Sequence, residues 1–212
     1  MKKTLFLACL ILGSAATADV LEVNIYRSMP GMGGTTAQLA QEAKAIHEKL
    51  GAMPTVKFDM MGRMHFAIGF QNWAAWSNHG KKLSQSEEWS NFWAKATKAA
   101  SAELEEHYLL NVVSPGGLGD ALQVFVWEAT GGVNALVQSA LEAEKIHEKA
   151  GADISVNVDQ MNRVHYVMSF ENWDAWAKFQ DGTPSEEWTN WWAEAQKNPA
   201  GRLVKVYTIG SN

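Results

Sequence analysis

Two histidines at corresponding places in the chain are the side chains best suited to chemistry. His65 and His165 each follow an arginine (Arg63 or Arg163) by two positions, in segments that alternate residue types as β-strands do. An imidazole titrates near neutral pH, so either histidine could be a general base or a polar anchor for an acidic or phenolic ligand. The alternative is a histidine that is hydrogen-bonded within a polar interior, and the sequence leaves both open.

An aspartate precedes each of these arginines by four residues. Asp59 and Asp159 lie on the other side of a predicted three-residue loop. The last loop residue is Gly62 in one case and Asn162 in the other, the two residue types that best tolerate a positive φ. We expect each aspartate to form an ion pair with its arginine that fixes the turn, a contact worth about 0–1 kcal/mol near solvent.

Two further histidines, His47 and His147, fall in the last turn of a predicted helix. A histidine there interacts with the helix dipole and can bond the free carbonyl groups, which is a structural role. No histidine pair in the chain has the i, i+4 spacing typical of metal ligands, so we predict no metal site. The methionine-rich segment 29–32 leaves copper(I) as an alternative.

The chain contains one unit twice. Residues 46–76 recur, shifted by 100 positions, as residues 146–176, and residues 87–89 recur as residues 186–188. In the first copy, the apolar patterns and turn signals predict strand 21–26, a helix that ends at Gly51, strands 55–59 and 63–70, helical segments that begin at Asn72 and Ser86, and strand 108–113. The order is β-α-β-β-α-β, the split βαβ arrangement, and it occurs twice.

The helices of each copy should cover the face of the sheet that carries the apolar residues of the central hairpin. The opposite face would carry Glu22, Asn24, Tyr26, Thr55, Lys57, Asp59, Arg63 and His65 in the first copy, and Gln123, Phe125, Trp127, Ser155, Asn157, Asp159, Arg163 and His165 in the second. Because the unit is duplicated, the two polar faces can turn toward each other and enclose a cavity.

Residues 163–176 (RVHYVMSFENWDAW), followed by PSEEW at 184–188, resemble the middle of the antibiotic-biosynthesis-monooxygenase and NIPSNAP-like families of the dimeric α/β-barrel superfamily. The resemblance implies a fused pseudo-dimer with a ligand pocket in or beside each barrel half. It does not imply one activity, because the superfamily includes monooxygenases, isomerases, haem enzymes and plain binding proteins. We predict no cofactor, with haem as an alternative beside copper.

The predicted fold is therefore α+β, with two tandem ferredoxin-like βαββαβ repeats that form an intramolecular, pseudo-dimeric α/β barrel. The predicted boundaries are a signal peptide at 1–18, a first repeat at 19–113, a linker at 114–120 and a second repeat at 121–212. The linker contains three glycines and a proline between two apolar runs, which is typical of a joint between domains.

Residues 1–18 have the composition of a secretory signal: Lys2 and Lys3, then an apolar run from Leu5 to Leu12, then the small residues 16–18. We expect a periplasmic or secreted protein without a membrane anchor, and without a cysteine once Cys9 is removed. The net charge of −5 argues against nucleic acid or an anionic membrane as partner.

The leading hypothesis is an exported protein that binds a small, partly aromatic or acidic molecule. The predicted ligand-binding residues are Tyr26, Arg63, His65, Trp127, Arg163 and His165. The alternative is a cofactor-independent monooxygenase or isomerase that uses His65 or His165 as general base. A third possibility is a module that binds partner proteins through its acidic helical exterior, and further self-association is left open.

Overall fold

The structure is a computed structural model, and it describes residues 18–210. The predicted signal peptide, 1–18, lies outside the described residues except for Ala18. None of the helices in the described part of the chain has the length and apolar character needed to cross a membrane.

The two halves of the chain have the same order of elements. The first half contains β1 (Val20–Ser28), α1 (Gly33–Lys49), β2 (Met53–Asp59), β3 (Arg63–Phe70), α2 (Trp73–Ser84), α3 (Glu87–Ala99) and β4 (Ala102–Ser114). The second half contains β5 (Ala121–Ala129), α4 (Val133–Lys149), β6 (Asp153–Asp159), β7 (Arg163–Phe170), α5 (Trp173–Asp181), α6 (Glu186–Lys197) and β8 (Gly201–Gly210). The predicted α+β class is confirmed.

Helix starts follow from local hydrogen bonds. Asn72 Oδ1 accepts a hydrogen bond from the backbone N–H of Ala75 at 2.9 Å, and Ser86 Oγ accepts one from that of Trp89 at 3.2 Å. Asn172 and Ser185 cap α5 and α6 in the same way. These caps satisfy N–H groups that the first helical turn leaves free, which explains why each second helical segment divides into two helices.

The hairpin loops are as predicted. β2 ends at Asp59 and β3 begins at Arg63, and the last loop residue has a positive φ in both halves: 76° at Gly62 and 59° at Asn162. The strand register is the one that a three-residue loop between Asp59 and Arg63 implies, because Phe58 lies opposite Met64.

The eight strands form one closed antiparallel barrel in the order β1-β3-β2-β8-β5-β7-β6-β4. Each half contributes four adjacent strands. The halves meet along two seams, where β2 pairs with β8 and β4 pairs with β6. The helices lie on the outside, where α1 and α3 pack together over the sheet of the first half and α4 and α6 over that of the second.

The predicted orientation of the first strand in each half is wrong. Tyr26 lies directly opposite Met64 of the adjacent strand, and Trp127 lies opposite Val164, so both side chains point outward toward the helices. Glu22 and Asn24, and likewise Gln123 and Phe125, share that outward face.

The reason is that the barrel interior needs an apolar layer of its own, since an eight-stranded barrel is filled by side chains. The alternate residues of these strands supply it. The inner apolar cluster contains Ile25, Tyr108, Leu110, Leu122, Val126, Tyr207 and Ile209, with Leu21, Val23, Val124 and Val204 packed against it.

Candidate functional site

The inner face of each half carries an aspartate that holds an arginine and a histidine. In the first half, Asp59 Oδ2 accepts hydrogen bonds from Arg63 Nε at 2.7 Å and from His65 Nε2 at 3.1 Å. Asp59 Oδ1 accepts from the backbone N–H groups of Met61 and Arg63, each at 2.9 Å. The carboxylate thus closes the hairpin loop and orients both basic side chains, and the predicted ion pair is confirmed.

The second half repeats this geometry. Asp159 Oδ2 accepts from Arg163 Nε at 2.7 Å and from His165 Nε2 at 3.0 Å. Burial by itself raises the pKa of Asp159, but the hydrogen bonds from His165 and Arg163 outweigh it and lower that pKa to about 2. Both aspartates are therefore ionised throughout the neutral range.

A tyrosine from the opposite half lies over each of these arginines. The guanidinium carbon of Arg63 is 5.1 Å from the ring centroid of Tyr207, and that of Arg163 is 5.0 Å from the ring of Tyr108. Both are cation–π distances. Each group of one aspartate, one arginine and one histidine is therefore covered by a tyrosine from the other half of the chain.

The two groups meet at the ion pair between Glu106 and Lys205, which occupy corresponding positions of β4 and β8. Tyr207 donates its hydroxyl to Glu106 Oε1 at 2.9 Å, and Tyr108 donates to Glu106 Oε2. This arrangement satisfies the polar groups of the interior with one another, as a buried network requires.

Neither of the two cavities described below is lined by Arg63, His65, Arg163 or His165. His65 and His165 are buried, with 7% and 4% of their surface exposed. The geometry is that of a hydrogen-bonded polar core, and the contact of these four residues with a ligand stays a prediction.

The larger cavity lies in the second half, between the outer face of the sheet and the helices α4, α5 and α6, and has a volume of about 940 Å³. Its walls are mostly apolar and aromatic. The aromatic lining residues are Phe125, Trp127, Tyr166, Phe179, Trp188, Trp191 and Trp192. A volume of this size accommodates a drug-sized molecule.

His147 and Tyr166 form the central polar pair of this cavity. His147 Nδ1 lies 2.7 Å from the Tyr166 hydroxyl, and the imidazole packs against Trp188 with ring centroids 4.3 Å apart. Burial lowers the pKa of His147 to about 4. Burial, together with nearby Glu144, raises the pKa of Tyr166. Both groups are therefore neutral at pH 7 and act as hydrogen-bond partners rather than charges.

The smaller cavity, of about 520 Å³, lies at the corresponding place in the first half. Here His47 Nδ1 lies 2.8 Å from Nε2 of His79, and the two rings stack with centroids 4.9 Å apart. Burial and then His79 lower the pKa of His47 to about 4, and burial also lowers the pKa of His79. One neutral imidazole donates to the other.

The two cavities have different residue types at two pairs of corresponding positions. The position of Tyr166 in β7 is occupied by Phe66 in β3, and the position of His79 in α2 is occupied by Phe179 in α5. The histidine near the end of α1 or α4 thus keeps one polar partner in each half, but from a different element.

The difference in volume arises where the second helix of each half ends. α2 has 12 residues and α5 only 9, and the irregular segment 182–185 that follows α5 lines the second cavity. The first helices do not account for it, because Leu39 and Thr36 of α1 correspond to Ser139 and Leu136 of α4, so that one leucine lines each cavity from a different position. The shorter helix leaves more space.

The structure does not bring the six predicted ligand-binding residues together. Tyr26 lines the first cavity and Trp127 lines the second, while the two arginines and two histidines lie in the barrel interior. A cavity between the halves was predicted, but both cavities described here lie beside the barrel, one within each half.

Sequence reasoning missed the inward direction of His47 and His147. The signal was available, because Thr36, Ala40, Ala43 and His47 recur at helical spacing and all are buried in α1. Instead of bonding free carbonyls at the helix end, Nδ1 of each histidine faces a side chain of the core. For Tyr166 the sequence offered no signal beyond its alternation within the strand.

Among solved structures, the chain is similar to a "putative monooxygenase" from Lactobacillus acidophilus, with a TM-score of 0.64, 12% identity, and 91% of this chain and 93% of that one covered. The chain has the dimeric α/β-barrel fold. This confirms, at the level of the fold, the resemblance seen in the sequence.

Two more structures show how widely the dimeric α/β-barrel fold is used. An anthrone oxidase-like protein matches with a TM-score of 0.59 and 15% identity, and a chlorite dismutase variant from Candidatus Nitrospira defluvii matches with 0.52 and 9%. Each match covers 92% of both chains. No protein-family model matches the chain, and no curated protein matches it. Identities this low indicate the fold and leave the activity to be argued from the site.

Proposed function

We propose that this protein binds a small aromatic molecule in the cavity of its second half. The observation that carries the proposal is the pairing of a cavity of about 940 Å³ with aromatic walls and one neutral polar pair, His147 and Tyr166. Small-molecule sites have this composition: apolar walls that bind by burial, and few polar groups that orient the ligand. A hydroxyl or carbonyl group of the ligand would bond to His147 or Tyr166.

The binding test uses 2-naphthol as probe, with 2-methoxynaphthalene as the matched compound that lacks the hydroxyl donor. We expect 2-naphthol to bind in calorimetry, and Ser139→Leu to weaken it about tenfold or more because a leucine fills space, as Leu39 does in the first half. Unchanged affinity in a folded Ser139→Leu variant would overturn the assignment to this cavity. Tyr166→Phe should reduce the preference for 2-naphthol over its methyl ether.

A second candidate is a cofactor-independent monooxygenase, which the neutral imidazole of His147 at the cavity wall favours. A CH₂ group next to a carbonyl would lose a proton to the imidazole. The carbanion would then react with O₂, so that CH₂ becomes C=O and the second oxygen atom leaves with both hydrogens as water. Because the pKa of His147 is only about 4, the substrate must be a strong carbon acid.

Oxygen uptake with anthrone as substrate tests this candidate. We expect one O₂ consumed for each anthrone oxidised, and loss of that uptake in His147→Phe while the variant keeps the far-UV circular dichroism of the parent protein. Uptake that persists in this variant, or none in the parent protein, would leave binding alone as the function. An absorbance spectrum of protein purified from its own host would show a Soret band if haem were bound.

The two halves, we further propose, replace the two subunits of a dimer and work outside the cytoplasm. The support is the identical order of elements in each half, the closure of one barrel by both, and the signal-like composition of residues 1–18. Native mass spectrometry should find a folded single chain, and sequencing of protein from the periplasm or medium should begin at Asp19. A chain retained in the cytoplasm with Met1 intact contradicts export.

A further inference from the structure

The two cavities carry opposite charges. Among the described residues that line the first cavity, Glu22 is the single side chain with a formal charge, since both of its histidines are neutral. Among those that line the second cavity, the single charged side chain is Lys178. Where Glu22 stands in β1, the second half has the neutral Gln123 in β5.

The carboxylate of Glu22 is not neutralised by a permanent cation. Its Oε2 accepts a hydrogen bond from Trp76 Nε1 at 2.7 Å, and its Oε1 lies 3.5 Å from His107 Nε2. Within the described residues no lysine or arginine lies within 4.0 Å of it. One quarter of the side chain is exposed, so an incoming ligand can reach it.

The charge of Glu22 affects the pKa of two other residues that line the cavity. It adds to burial in raising the pKa of Tyr26, and it opposes the effect of burial on the pKa of His79. A negative potential therefore extends over the polar side of the cavity, where Tyr26 and His79 both lie.

The remaining walls suit an organic cation. Trp76, Trp89, Phe92 and Trp93 line the cavity together with Tyr26. The face of an aromatic ring attracts a cation, most strongly where water is excluded, and a carboxylate beside such rings adds direct charge complementarity. A volume of about 520 Å³ holds a small ligand.

We propose that the first cavity is a second, separate binding site, selective for a small organic monocation with an apolar body, such as a substituted ammonium. Glu22 supplies the counter-charge, and the rings of Trp76, Trp89 and Trp93 enclose the apolar part. This site goes beyond the proposed function of the second cavity and does not depend on it, because the two cavities are lined by different halves of the chain.

The test compares two probes of the same shape, phenyltrimethylammonium and the uncharged tert-butylbenzene. Binding to the full-length protein is measured by calorimetry and by quenching of tryptophan fluorescence. We expect the cation to bind about tenfold more tightly than the neutral probe, in line with a desolvated cation–π contact beside a carboxylate. Equal affinity for both probes, or binding of neither, overturns the proposal.

The repeat supplies the matched variants. Glu22→Gln introduces the residue found at the same position of the second half, keeps an oxygen for Trp76 Nε1, and should abolish the preference for the cation. Glu87→Gln removes the same charge from the exposed start of α3 and should leave the preference unchanged. A preference that survives Glu22→Gln, or that Glu87→Gln also abolishes, contradicts the assignment to Glu22.

The reciprocal variant keeps the test informative if Glu22→Gln unfolds the protein. Gln123→Glu combined with Lys178→Gln places a carboxylate in the second cavity and removes the lysine that could neutralise it, and we expect the double variant to create a cation preference there while 2-naphthol binding weakens. No change in the cation preference would show that a carboxylate at this place in the fold does not select the charge of a ligand, which overturns the proposal. Failure of 2-naphthol to bind the parent protein bears on the proposed function alone.

Discussion

The interior of the barrel and the two outer cavities have diverged to very different degrees between the halves. In the interior, the aspartate, arginine and histidine groups have the same bonds in both halves, with an Arg Nε to Asp Oδ2 distance of 2.7 Å in each. Outside, the histidine near the end of the first helix of each half bonds to His79 in one half and to Tyr166 in the other.

The difference follows from what each region touches. The interior is shared, since a tyrosine of each half covers the arginine of the other, and a change on one side disturbs both. Each cavity is enclosed by the elements of its own half, so it can change residue by residue without affecting the other. Substitutions in the aspartate, arginine and histidine groups of the interior should therefore have equal effects in the two halves, and substitutions in the cavities should not.

Acidification tests the feature that both cavities share. The folded-state pKa of His47 and of His147 is about 4, below the unfolded value near 6.5, so the native state resists protonation. Their contribution to stability is complete above pH 6.5 and is lost as the pH falls toward 4, by on the order of 3 kcal/mol for each histidine. Urea unfolding from pH 7.5 to 4 measures it.

The control is His147→Phe, which removes the titrating histidine of the second cavity and leaves His47 and His79 of the first. It should flatten part of the pH dependence and leave the part due to the first half. A parent protein with the same stability at pH 4.5 and pH 7 would show that these imidazoles are not buried as described.

Removal of an interior carboxylate tests whether the shared region is symmetric. Asp59→Ala and Asp159→Ala each leave a partly buried arginine and a buried histidine without their counter-charge, and we expect a loss of about 3 kcal/mol in either case. Equilibrium urea unfolding gives both values. Losses that differ between the two variants by more than about 1 kcal/mol would contradict equivalent interiors.

Exchange of the residue that bonds to His47 tests whether one cavity can use the hydrogen-bond arrangement of the other. His79→Phe deprives His47 of its hydrogen bond and should cost about 1–3 kcal/mol, the usual cost of a buried polar group left unsatisfied. Addition of Phe66→Tyr builds the arrangement of the second half and should recover most of the loss. Stability is measured by thermal and urea unfolding. No recovery in the double variant would show that the surrounding packing, and not the hydrogen bond to His47, accounts for the lost stability.

The surface ion pairs that link α1 to α3 and α4 to α6 should contribute least to the free energy of unfolding. Lys49 pairs with Glu88 at 2.5 Å, and Lys149 pairs with Glu187 at 2.7 Å, with half or more of each side chain exposed. Lys49→Ala and Lys149→Ala should each cost between about 0 and 1 kcal/mol. A loss above about 2 kcal/mol in urea unfolding would identify a structural role that the exposure does not suggest.

The regular parts of the fold could be predicted because they depend on local chemistry. Asn72 and Ser86 cap helices wherever the following chain can turn, and Gly62 and Asn162 adopt the positive φ that a short hairpin loop needs. The repeat then gave the same elements twice, which also predicted how many strands the barrel contains.

The faces of β1 and β5 could not be predicted from alternation alone. Leu21, Val23 and Ile25 form an apolar set. The alternation of a strand does not show whether such a set faces the helices or the barrel interior, because both environments are apolar. Tyr26 was therefore placed on the wrong side. A pocket in or beside each half was implied by the resemblance, but its walls could not be predicted from the residues, because the shape of each cavity depends on helix length and packing.

The ion pair between Glu106 and Lys205 has a consequence for how such a barrel can evolve. In an assembly of two identical chains, the residues that meet across the twofold axis are copies of each other, so they must carry the same sign. Two halves of one polypeptide are free of that restriction, and here one position is acidic while the corresponding position of the other half is basic. The ion pair forms only between unlike halves, because two first halves would bring two carboxylates together and two second halves would bring two ammonium groups together.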